Sequence, residues 1–534
     1  MDQTSKQQGS NGDHLLKVLG LLAFAALIQQ AFVKFQAWWA IWIVNPWHQL
    51  GLASAIGIIG AGLFVFLYFQ FLKRKTKSEN DKAVLGKTPD AVYCGEGSPI
   101  SETKKSKKVS IWVKPSQRAM HTQVVGTTNA GKTESVILPW AIQDIQQGRG
   151  LLLIDGKSDR SLLEKLWAYT HKAGREKDFH LVSLSNLNES HAFNPLTGGS
   201  SAEVTERVMN AFNFENPHFK SVQFELFGQV MRVFEECGEI PTFLKIYQAI
   251  TKPEALFAMA QSDELKAWAE FYRDLSSNER SQRTSGLTAA LSHFAFGKAS
   301  PIFNTENPTF TIDSALQENK IIYFQLPVLL SPFLGAATGK MVLQCLQAAI
   351  ANRHRGSTNN KQFFSVFLDD FSEYLYDGFV SALNKSRSAN VGVVFAHQAL
   401  GDISALGDSI ANSILTNANV KVFMRGNDPD SAEYYSRLIG TNKAEKTTER
   451  KRKTFFKSEA TGDVSAREVD EFIIHPNRFK RELGVGEAVM VIPHNQGSQV
   501  VNIKFKKHDD LIGPALAHVE KEKPKSLARV ATGV

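Results

Sequence analysis

The chain has 534 residues, three cysteines and a formal net charge of +8, and these numbers exclude several classes of protein. This length is sufficient for two or three domains with a large hydrophobic core. Cys94, Cys237 and Cys345 are odd in number and widely spaced, which fits neither a disulfide framework nor a zinc site and predicts a reducing cytosol for most of the chain. The positive charge is compatible with nucleic acid or anionic lipid as a partner but identifies neither.

Two apolar segments near the N-terminus predict a transmembrane hairpin over residues 15–72, after a cytoplasmic tail at 1–14. Residues 15–33 and 50–69 are each about as long as a bilayer core requires. Tryptophans between them are typical of a membrane interface, namely Trp38, Trp39, Trp42 and Trp47. Lys73, Arg74 and Lys75 directly after the second segment place that end, and hence also the N-terminus, in the cytoplasm. The alternative for residues 15–33 is a cleaved signal peptide.

Residues 73–108 are polar and are predicted to form a linker off the membrane. The linker ends in a lysine cluster, namely Lys104, Lys105, Lys107 and Lys108. We interpret this cluster as a solvated surface, and the alternative is contact with DNA or anionic head groups.

The sequence HTQVVGTTNAGKT at 121–133 predicts a strand, a phosphate-binding loop and the first turn of a helix. Small residues at this spacing let successive backbone N–H groups converge on a phosphate at a helix N-terminus. Lys132 is predicted to reach the β- and γ-phosphates of ATP, and the Thr133 hydroxyl to bind Mg²⁺. The predicted nucleotide-binding residues are Gly126, Thr127, Thr128, Asn129, Ala130, Gly131, Lys132 and Thr133.

After this loop, apolar runs alternate with helical patterns, which predicts a parallel sheet covered on both faces and a RecA-like α/β nucleotide-binding core. The predicted strands are 151–154, 179–184, 320–326, 363–368, 391–396 and 420–424. No strand pattern occurs in 200–285, so these residues are predicted to form an all-α domain between two parts of the α/β domain, 109–199 and 286–506. Residues 507–534 lack a core pattern and are predicted to be a mobile C-terminal tail.

Carboxylates and a polar pair end two of the predicted strands. Asp369 follows an apolar strand and is predicted to lie in the Mg²⁺ shell on a strand neighbouring the P-loop strand, with Asp370 orienting the attacking water. Gln398 could sense the γ-phosphate, whereas His397 is interpreted as a strand-end histidine with its hydrogen bonds satisfied. Arg387 is hypothesised to enter the site of a neighbouring subunit as an arginine finger, the alternative being a solvated loop arginine.

The succession of these motifs resembles the coupling proteins of type IV secretion and conjugation over residues 15 to about 505. Besides the anchor and the P-loop, the resemblance rests on the Asp155-Gly156-Lys157 strand end, FNPL at 193–196, FLDD at 367–370, AHQALGDI at 396–403 and ILTNANVKVFMRGNDPDSAEYYSRLIG at 414–440. It implies a hexameric ATPase of the bacterial inner membrane that links relaxase-bound single-stranded DNA to a secretion channel. It also implies that Lys132 and Thr133 are the Walker A pair, Asp369 the Walker B aspartate, Gln398 the sensor glutamine and Arg387 the arginine before the sensor strand.

Two positions depart from the pattern of that family. Asp370 stands where relatives have glutamate, so its shorter arm puts the hydrolysis rate in question unless Glu373 assists. Gly156 stands where many relatives have proline, which affects only the loop shape.

Basic residues alternate with aromatic ones in 441–458, which is interpreted as a solvated loop or as a grip on single-stranded DNA. The leading functional hypothesis is a DNA-translocating motor. A substrate receptor that binds ATP mainly to assemble is the first alternative, and a chromosome-segregating translocase, which leaves the helical insertion unexplained, is the second.

Overall fold

The computed structural model describes residues 29–42, 44, 47, 57, 59–70, 88–100, 108–214, 216–356, 361–405, 407–454, 457–494 and 497–527. The chain forms two compact units, Met1–Ala83 and Val84–Val534.

The N-terminal unit contains two described helices, α1 (29–42) and α2 (Ile59–Gln70). Their apolar side chains are exposed, among them Trp38, Ile41 and Phe64. The predicted spans 15–33 and 50–69 lie partly outside the described residues. Within the described residues, one helix is long and apolar enough to cross a bilayer by length and composition, and it is α14 (Pro332–Arg355) of the second unit, which is mostly buried in the core.

An eleven-stranded mixed sheet forms the centre of the second unit, with the order β2-β1-β13-β12-β9-β3-β8-β7-β4-β6-β5. The strands from β9 to β5 run parallel, and β1, β2, β12 and β13 extend the sheet with antiparallel pairs. The bounds are β1 Val92–Pro99, β2 Val109–Val113, β3 Thr122–Val125, β4 Leu151–Asp155, β5 Phe179–Ser183, β6 Ile321–Gln325, β7 Phe364–Asp369, β8 Val391–His397, β9 Val420–Phe423, β12 Glu487–His494 and β13 Gly497–Phe505.

The six strands predicted from apolar runs after the P-loop are all present, and their ends differ by at most one residue. Strands β4, β7 and β8 are buried along their whole length, because helices cover both faces of the sheet. The covering and connecting helices are α3 Pro115–Arg118, α4 Leu138–Gln146, α5 Arg160–Lys172, α14 Pro332–Arg355, α15 Phe379–Ser386, α16 Gly401–Ser404, α17 Asp408–Asn417 and α18 Pro429–Ile439, together with short 3-10 turns at Glu176–Asp178 and Phe371–Tyr374.

Eight helices fill the stretch between β5 and β6, so the predicted all-helical insertion is present but longer than predicted. Helix α11 runs straight through the predicted boundary at residue 285, because its apolar face continues to Phe294 in the core. The helices are α6 Ser201–Ala211, α7 Pro217–Cys237, α8 Phe243–Thr251, α9 Pro253–Met259, α10 Asp263–Asp274, α11 Ser277–Ala295, α12 Ser300–Phe303 and α13 Ile312–Gln317.

Two predicted irregular stretches are regular strands. The predicted linker 73–108 contains β1, which pairs with β13 and β2 inside the large sheet. The predicted loop 441–458 belongs to a long hairpin of β10 (Thr441–Thr454) and β11 (Lys457–Phe472), whose strands pair only with each other among the described residues. The sequence did not reveal these elements, because their strands are rich in polar residues or glycine and lack the continuous apolar runs of the buried strands.

Residues 507–527 also differ from the prediction of a mobile tail, because they lie in fixed contact with the body of the unit. Trp167 Nε1 donates to the Pro514 carbonyl at 2.8 Å, and Lys165 forms an ion pair with Asp510 at 2.8 Å. Farther along, the Leu527 N–H donates to Gln248 Oε1 of α8 at 2.8 Å. Backbone hydrogen bonds to a neighbouring surface left no periodic signal in the sequence.

A buried charge cluster joins α3, α4 and β7 beneath the sheet. Asp144 is fully buried and accepts hydrogen bonds from both terminal nitrogens of Arg118 at 2.7 and 2.6 Å. Arg149 and Ser365 donate to the same carboxylate at 3.1 and 2.7 Å. The Arg118 guanidinium also lies over the ring of Trp140, 5.2 Å from its centroid. Asp144 therefore compensates two guanidinium groups in a region from which water is excluded.

Asp144→Asn is expected to destabilise the unit by about 3 kcal/mol, because it leaves two buried cations without their counter-charge. The matched control is Asp178→Asn, which also removes a carboxylate paired with two cations, Arg175 and Lys320, but at a half-exposed site where such pairs contribute about 1 kcal/mol or less. Thermal unfolding of the full-length protein in detergent measures both. Equal midpoints for the two variants would contradict this account of the cluster.

Candidate nucleotide-binding site

The loop after β3 has the backbone geometry of a phosphate cradle. Asn129 and Gly131 have positive φ values of 64° and 96°. A β-carbon at Gly126 would lie 2.8 Å from Cβ of Met424, so only glycine fits where the loop leaves the strand. The Thr127 N–H donates to the Arg425 carbonyl at 2.9 Å, which fixes the loop to the end of the neighbouring strand β9. The loop is therefore preorganised by the sheet.

The helix after the loop begins with a π-helical turn, Thr133–Ile137, before α4. Pro139 cannot donate a backbone hydrogen bond, and the ladder shifts by one residue, with the Leu138 N–H bonded to the Thr133 carbonyl. The N-terminus of this helix faces the loop, where its unpaired N–H groups and dipole favour an anion.

Lys132 and Thr133 lie at the centre of this cradle. The Lys132 ammonium is buried and donates to the Gly126 carbonyl of the loop at 2.7 Å. Burial, reinforced by the charge of Lys157, lowers the pKa of Lys132 below its ordinary value, although nearby carboxylates oppose this shift. Thr133 Oγ1 donates to Asp369 Oδ2 at 2.7 Å. A hydroxyl and a carboxylate at this separation offer the oxygen ligands that Mg²⁺ prefers, so the residues present fit the metal of a nucleotide complex.

The two aspartates at the end of β7 have different environments. Asp369 is buried, and burial together with the charge of Asp370 raises its pKa, whereas the hydrogen bond from Thr133 lowers it. Asp370 has a left-handed backbone, with φ of 48°, and its carboxylate forms an ion pair with Lys157 at 2.8 Å. Glu373 is exposed. Both predicted acids therefore lie beside the loop, and a lysine that the sequence did not single out as a partner holds the second.

Strand β8 lies between β3 and β7 and brings Gln398 to the loop. This order corrects the expectation that Asp369 ends a strand next to the P-loop strand, since one strand separates them. Thr128 Oγ1 donates to Gln398 Oε1 at 3.2 Å, and the Gln398 N–H donates to Asp402 at 2.7 Å. Gln398 is thus close enough to the phosphate loop to respond to its occupant.

Part of the chain is similar in sequence to known proteins. A family model described as the TraM recognition site of TraD and TraG matches residues 364–481. The type 4 coupling protein DotL of Legionella pneumophila is 21% identical over 398 residues, which are 62% of this chain and 50% of DotL. The chain thus spans about half the length of that curated relative.

Solved structures of the bacterial conjugative coupling protein TrwB have the same fold. An unbound form and a sulphate complex superpose with TM-scores of 0.54 and 0.55 at 15% and 16% identity, over 80% and 81% of this chain and 98% and 100% of the TrwB chains. The chain resembles the type IV coupling proteins in sequence and fold. The resemblance predicted from the motifs is therefore confirmed, and the α/β fold seen in the sheet order is that of TrwB.

Arg387 lies apart from the phosphate cradle of its own chain. It caps the C-terminal end of α15 and is exposed. The positive charge of Arg387 contributes to the lowered pKa of His121, so the two side chains lie near each other. His121 precedes β3, whereas the P-loop follows that strand. The side chain is therefore at the opposite edge of the sheet from Lys132. Within one chain, the structure brings together every predicted site residue except this one.

Three contributors to the candidate site were missed by sequence reasoning. Lys157 was noted only as part of a motif, although it is the cation paired with Asp370. The Arg425 carbonyl and the Gly486 N–H hold the phosphate loop from two sides, the latter by donating to the Ala130 carbonyl at 3.0 Å. A backbone contact leaves no side-chain signal, but the glycines around Val485 were a usable hint that the chain approaches another backbone there.

His397 is a strand-end histidine with both ring nitrogens satisfied, as predicted. Nδ1 lies 2.7 Å from the Ala399 carbonyl and must donate, so Nε2 accepts from Gln123 at 2.9 Å. Burial lowers the pKa of His397 to about 4. The neutral ring therefore stabilises the end of β8 through its two hydrogen bonds, and we assign it no part in ATP hydrolysis.

The lowered pKa of His397 predicts that the fold loses stability in acid. A pKa near 4 when folded, against about 6.5 when unfolded, contributes stability above pH 6.5 that is lost as the pH falls towards 4, by up to about 1.4 kcal/mol per pH unit. His397→Asn is expected to make the thermal midpoint fall less steeply between pH 6.5 and 4.5 than in the wild type. His518→Asn, at an exposed position, is the control and should leave the slope unchanged. A wild-type slope in the His397 variant would show that the ring does not titrate in this range.

Proposed function

We propose that this chain is a membrane-anchored hexameric ATPase that couples relaxase-bound single-stranded DNA, protein substrates or both to a type IV secretion channel. The observation that carries the proposal is the convergence of Lys132, Thr133, Asp369, Asp370 and Gln398 at the ends of three parallel strands. Phosphoryl transfer requires such a set: a lysine that binds phosphate, two residues that bind Mg²⁺, a carboxylate that orients the attacking water and a side chain that senses the γ-phosphate. TrwB, which shares the fold, has been solved with ADP and Mg²⁺ and with a non-hydrolysable ATP analogue.

The proposed location is the bacterial inner membrane, with two spans and both termini in the cytoplasm. Support comes from the apolar segments 15–33 and 50–69, the basic residues that follow them, and the exposed apolar side chains of α1 and α2. The proposed partners are other copies of the chain, channel components in the membrane, and the DNA strand with its relaxase. The basic run at 450–453 lies in β10 of the hairpin, and basic residues of this kind bind the phosphates of a nucleic acid.

One observation favours the alternative of an ATP-binding substrate receptor with little translocase activity. The carboxylate of Asp370, the acid assigned to the attacking water, is held by Lys157. A site that kept this ion pair with nucleotide bound would bind ATP without rapid turnover.

Steady-state ATPase of the detergent-solubilised full-length protein, with and without single-stranded DNA, separates the two functions. A motor should be stimulated by DNA, and Lys132→Ala and Asp370→Ala should abolish the stimulation. Lys320→Ala is the control, because it removes an ion-paired lysine before β6, at the opposite edge of the sheet. Nucleotide binding without turnover in assembled wild-type protein would support the receptor, and absence of nucleotide binding would refute both.

A further inference from the structure

The loop between β4 and α5 is built around one buried carboxylate. Asp155 accepts hydrogen bonds from the backbone N–H groups of Lys157, Ser158 and Asp159 at 2.9, 3.1 and 2.6 Å. The Tyr323 hydroxyl donates to it at 2.9 Å from the neighbouring strand β6. Because four donors converge on a side chain without exposure to solvent, the backbone at Lys157 has a fixed position.

This fixed turn lies directly against the acids of the nucleotide site. Asp155 pairs with Asp369 in the register of β4 and β7. A β-carbon on Gly156 would lie 3.5 Å from the Asp369 carbonyl and 3.5 Å from Cβ of Asp370, which is ordinary contact distance. The side chain of Lys157 therefore starts at the edge of the site, and its ammonium reaches Asp370 Oδ2 at 2.8 Å.

The side chain of Lys157 is partly exposed to solvent, although its backbone is fixed. Its side chain is 48% exposed, whereas that of Asp370 is 11% exposed. Among the described residues, Lys157 forms the one ion pair found for Asp370. The charge of Lys157 helps to lower the pKa of Lys132, and the charge of Asp369 raises the pKa of Lys157 itself. The ammonium therefore lies close enough to the phosphate-binding loop to interact with a bound phosphate.

We propose that Lys157 recognises the terminal phosphate of a bound nucleoside triphosphate and, by leaving Asp370 for that phosphate, frees the carboxylate to orient the attacking water. The proposal rests on the proposed function. A terminal phosphate carries more negative charge than one carboxylate, and a lysine binds it as a point charge from a flexible stem. A diphosphate lacks this group, so it leaves the ion pair in place and the site inactive.

The exchange of partners couples recognition to hydrolysis. With Asp370 free, the water oxygen forms a bond to the terminal phosphorus while the bond from that phosphorus to the bridging oxygen breaks. The water proton passes through Asp370 to solvent, and the products are the diphosphate and inorganic phosphate. Lys157 thereby makes the water-orienting acid available when its triphosphate substrate is present.

The test compares affinity with turnover in full-length protein carrying Lys157→Met or Lys157→Arg. Dissociation constants are measured by equilibrium dialysis for ADP and for a non-hydrolysable ATP analogue, both with Mg²⁺, and kcat and KM are measured for ATP. Methionine keeps the stem and removes the charge. It is expected to reduce the preference for the ATP analogue over ADP about tenfold, with ADP affinity unchanged. Although Asp370 is then free in every nucleotide state, kcat is expected to fall at least tenfold, because the cation that offsets the charge of the terminal phosphate in the transition state is lost. Arginine should restore most of the preference, and Lys320→Met is the control lysine variant.

The outcomes separate this inference from the proposed function. A Lys157→Met variant with the wild-type preference and kcat would overturn the inference while leaving the ATPase intact. Equal loss of ADP and ATP-analogue affinity would also overturn it, because that result indicates a damaged loop and not a lost phosphate contact. Wild-type protein that binds neither nucleotide would refute the proposed function itself.

Discussion

Asp369→Asn is expected to reduce ATP turnover by at least about ten-thousandfold, since the metal would lose its charged ligand. Asparagine preserves the shape of the side chain and can still accept the hydrogen bond that Thr133 now donates at 2.7 Å. What it removes is the negative charge that a hard cation such as Mg²⁺ requires. Phosphate release from full-length protein, measured across a Mg²⁺ titration, gives the expected loss directly.

Nucleotide binding in the presence of a chelator provides the internal check on this variant. The phosphate loop and Lys132 are untouched by Asp369→Asn, so metal-free binding should stay within a few-fold of the wild type. Asp428→Asn is the matched control, because Asp428 caps α18 and lies outside the predicted site. Wild-type turnover in Asp369→Asn would show that the metal is held by other groups.

The parts of this molecule that the sequence predicted well are those whose signal is local. The P-loop needs a fixed spacing of glycines before Lys132, and that spacing can be read directly. Buried parallel strands such as β4 and β7 are continuous apolar runs, so their ends were predicted to within one residue. Both features are determined by residues that are neighbours in the chain.

The features that the sequence did not reveal depend on contacts between distant parts of the chain. Lys157 and Asp370 are far apart in sequence and meet because β4 and β7 are adjacent in the sheet. The order of strands, with β8 between β3 and β7, is likewise a property of the assembled sheet. Residues 507–527 are held by backbone carbonyls and scattered polar groups, which leave no periodicity. Contacts of this kind can be predicted only once the fold is known, because the fold brings the distant residues together.

Arg387→Ala is expected to lower turnover by about three to five orders of magnitude if the proposed ring is correct, because an arginine finger stabilises the charge of the transition state. Arg387 is exposed and lies at the edge of the sheet opposite its own P-loop, so it reaches a nucleotide only when a second copy supplies the site. Lys385→Ala, which removes an exposed cation near the end of the same helix, is the control and should retain activity. Normal ATPase in assembled Arg387→Ala would refute the finger.

Mixing two inactive variants tests whether the finger acts between subunits. In rings assembled from equal amounts of the two variants, Arg387→Ala supplies an intact P-loop and Lys132→Met supplies an intact Arg387. For random assembly in a head-to-tail ring, about a quarter of all subunit junctions combine the two. ATPase should therefore reappear on mixing, although each variant alone is inactive. If Arg387 served the site of its own chain, no copy in the mixture would carry an intact site, and no activity would return. Recovery of turnover would thus establish both the contact between subunits and the role of Arg387. Within a single chain, Arg387 and the P-loop lie at opposite edges of the sheet and cannot act on the same nucleotide.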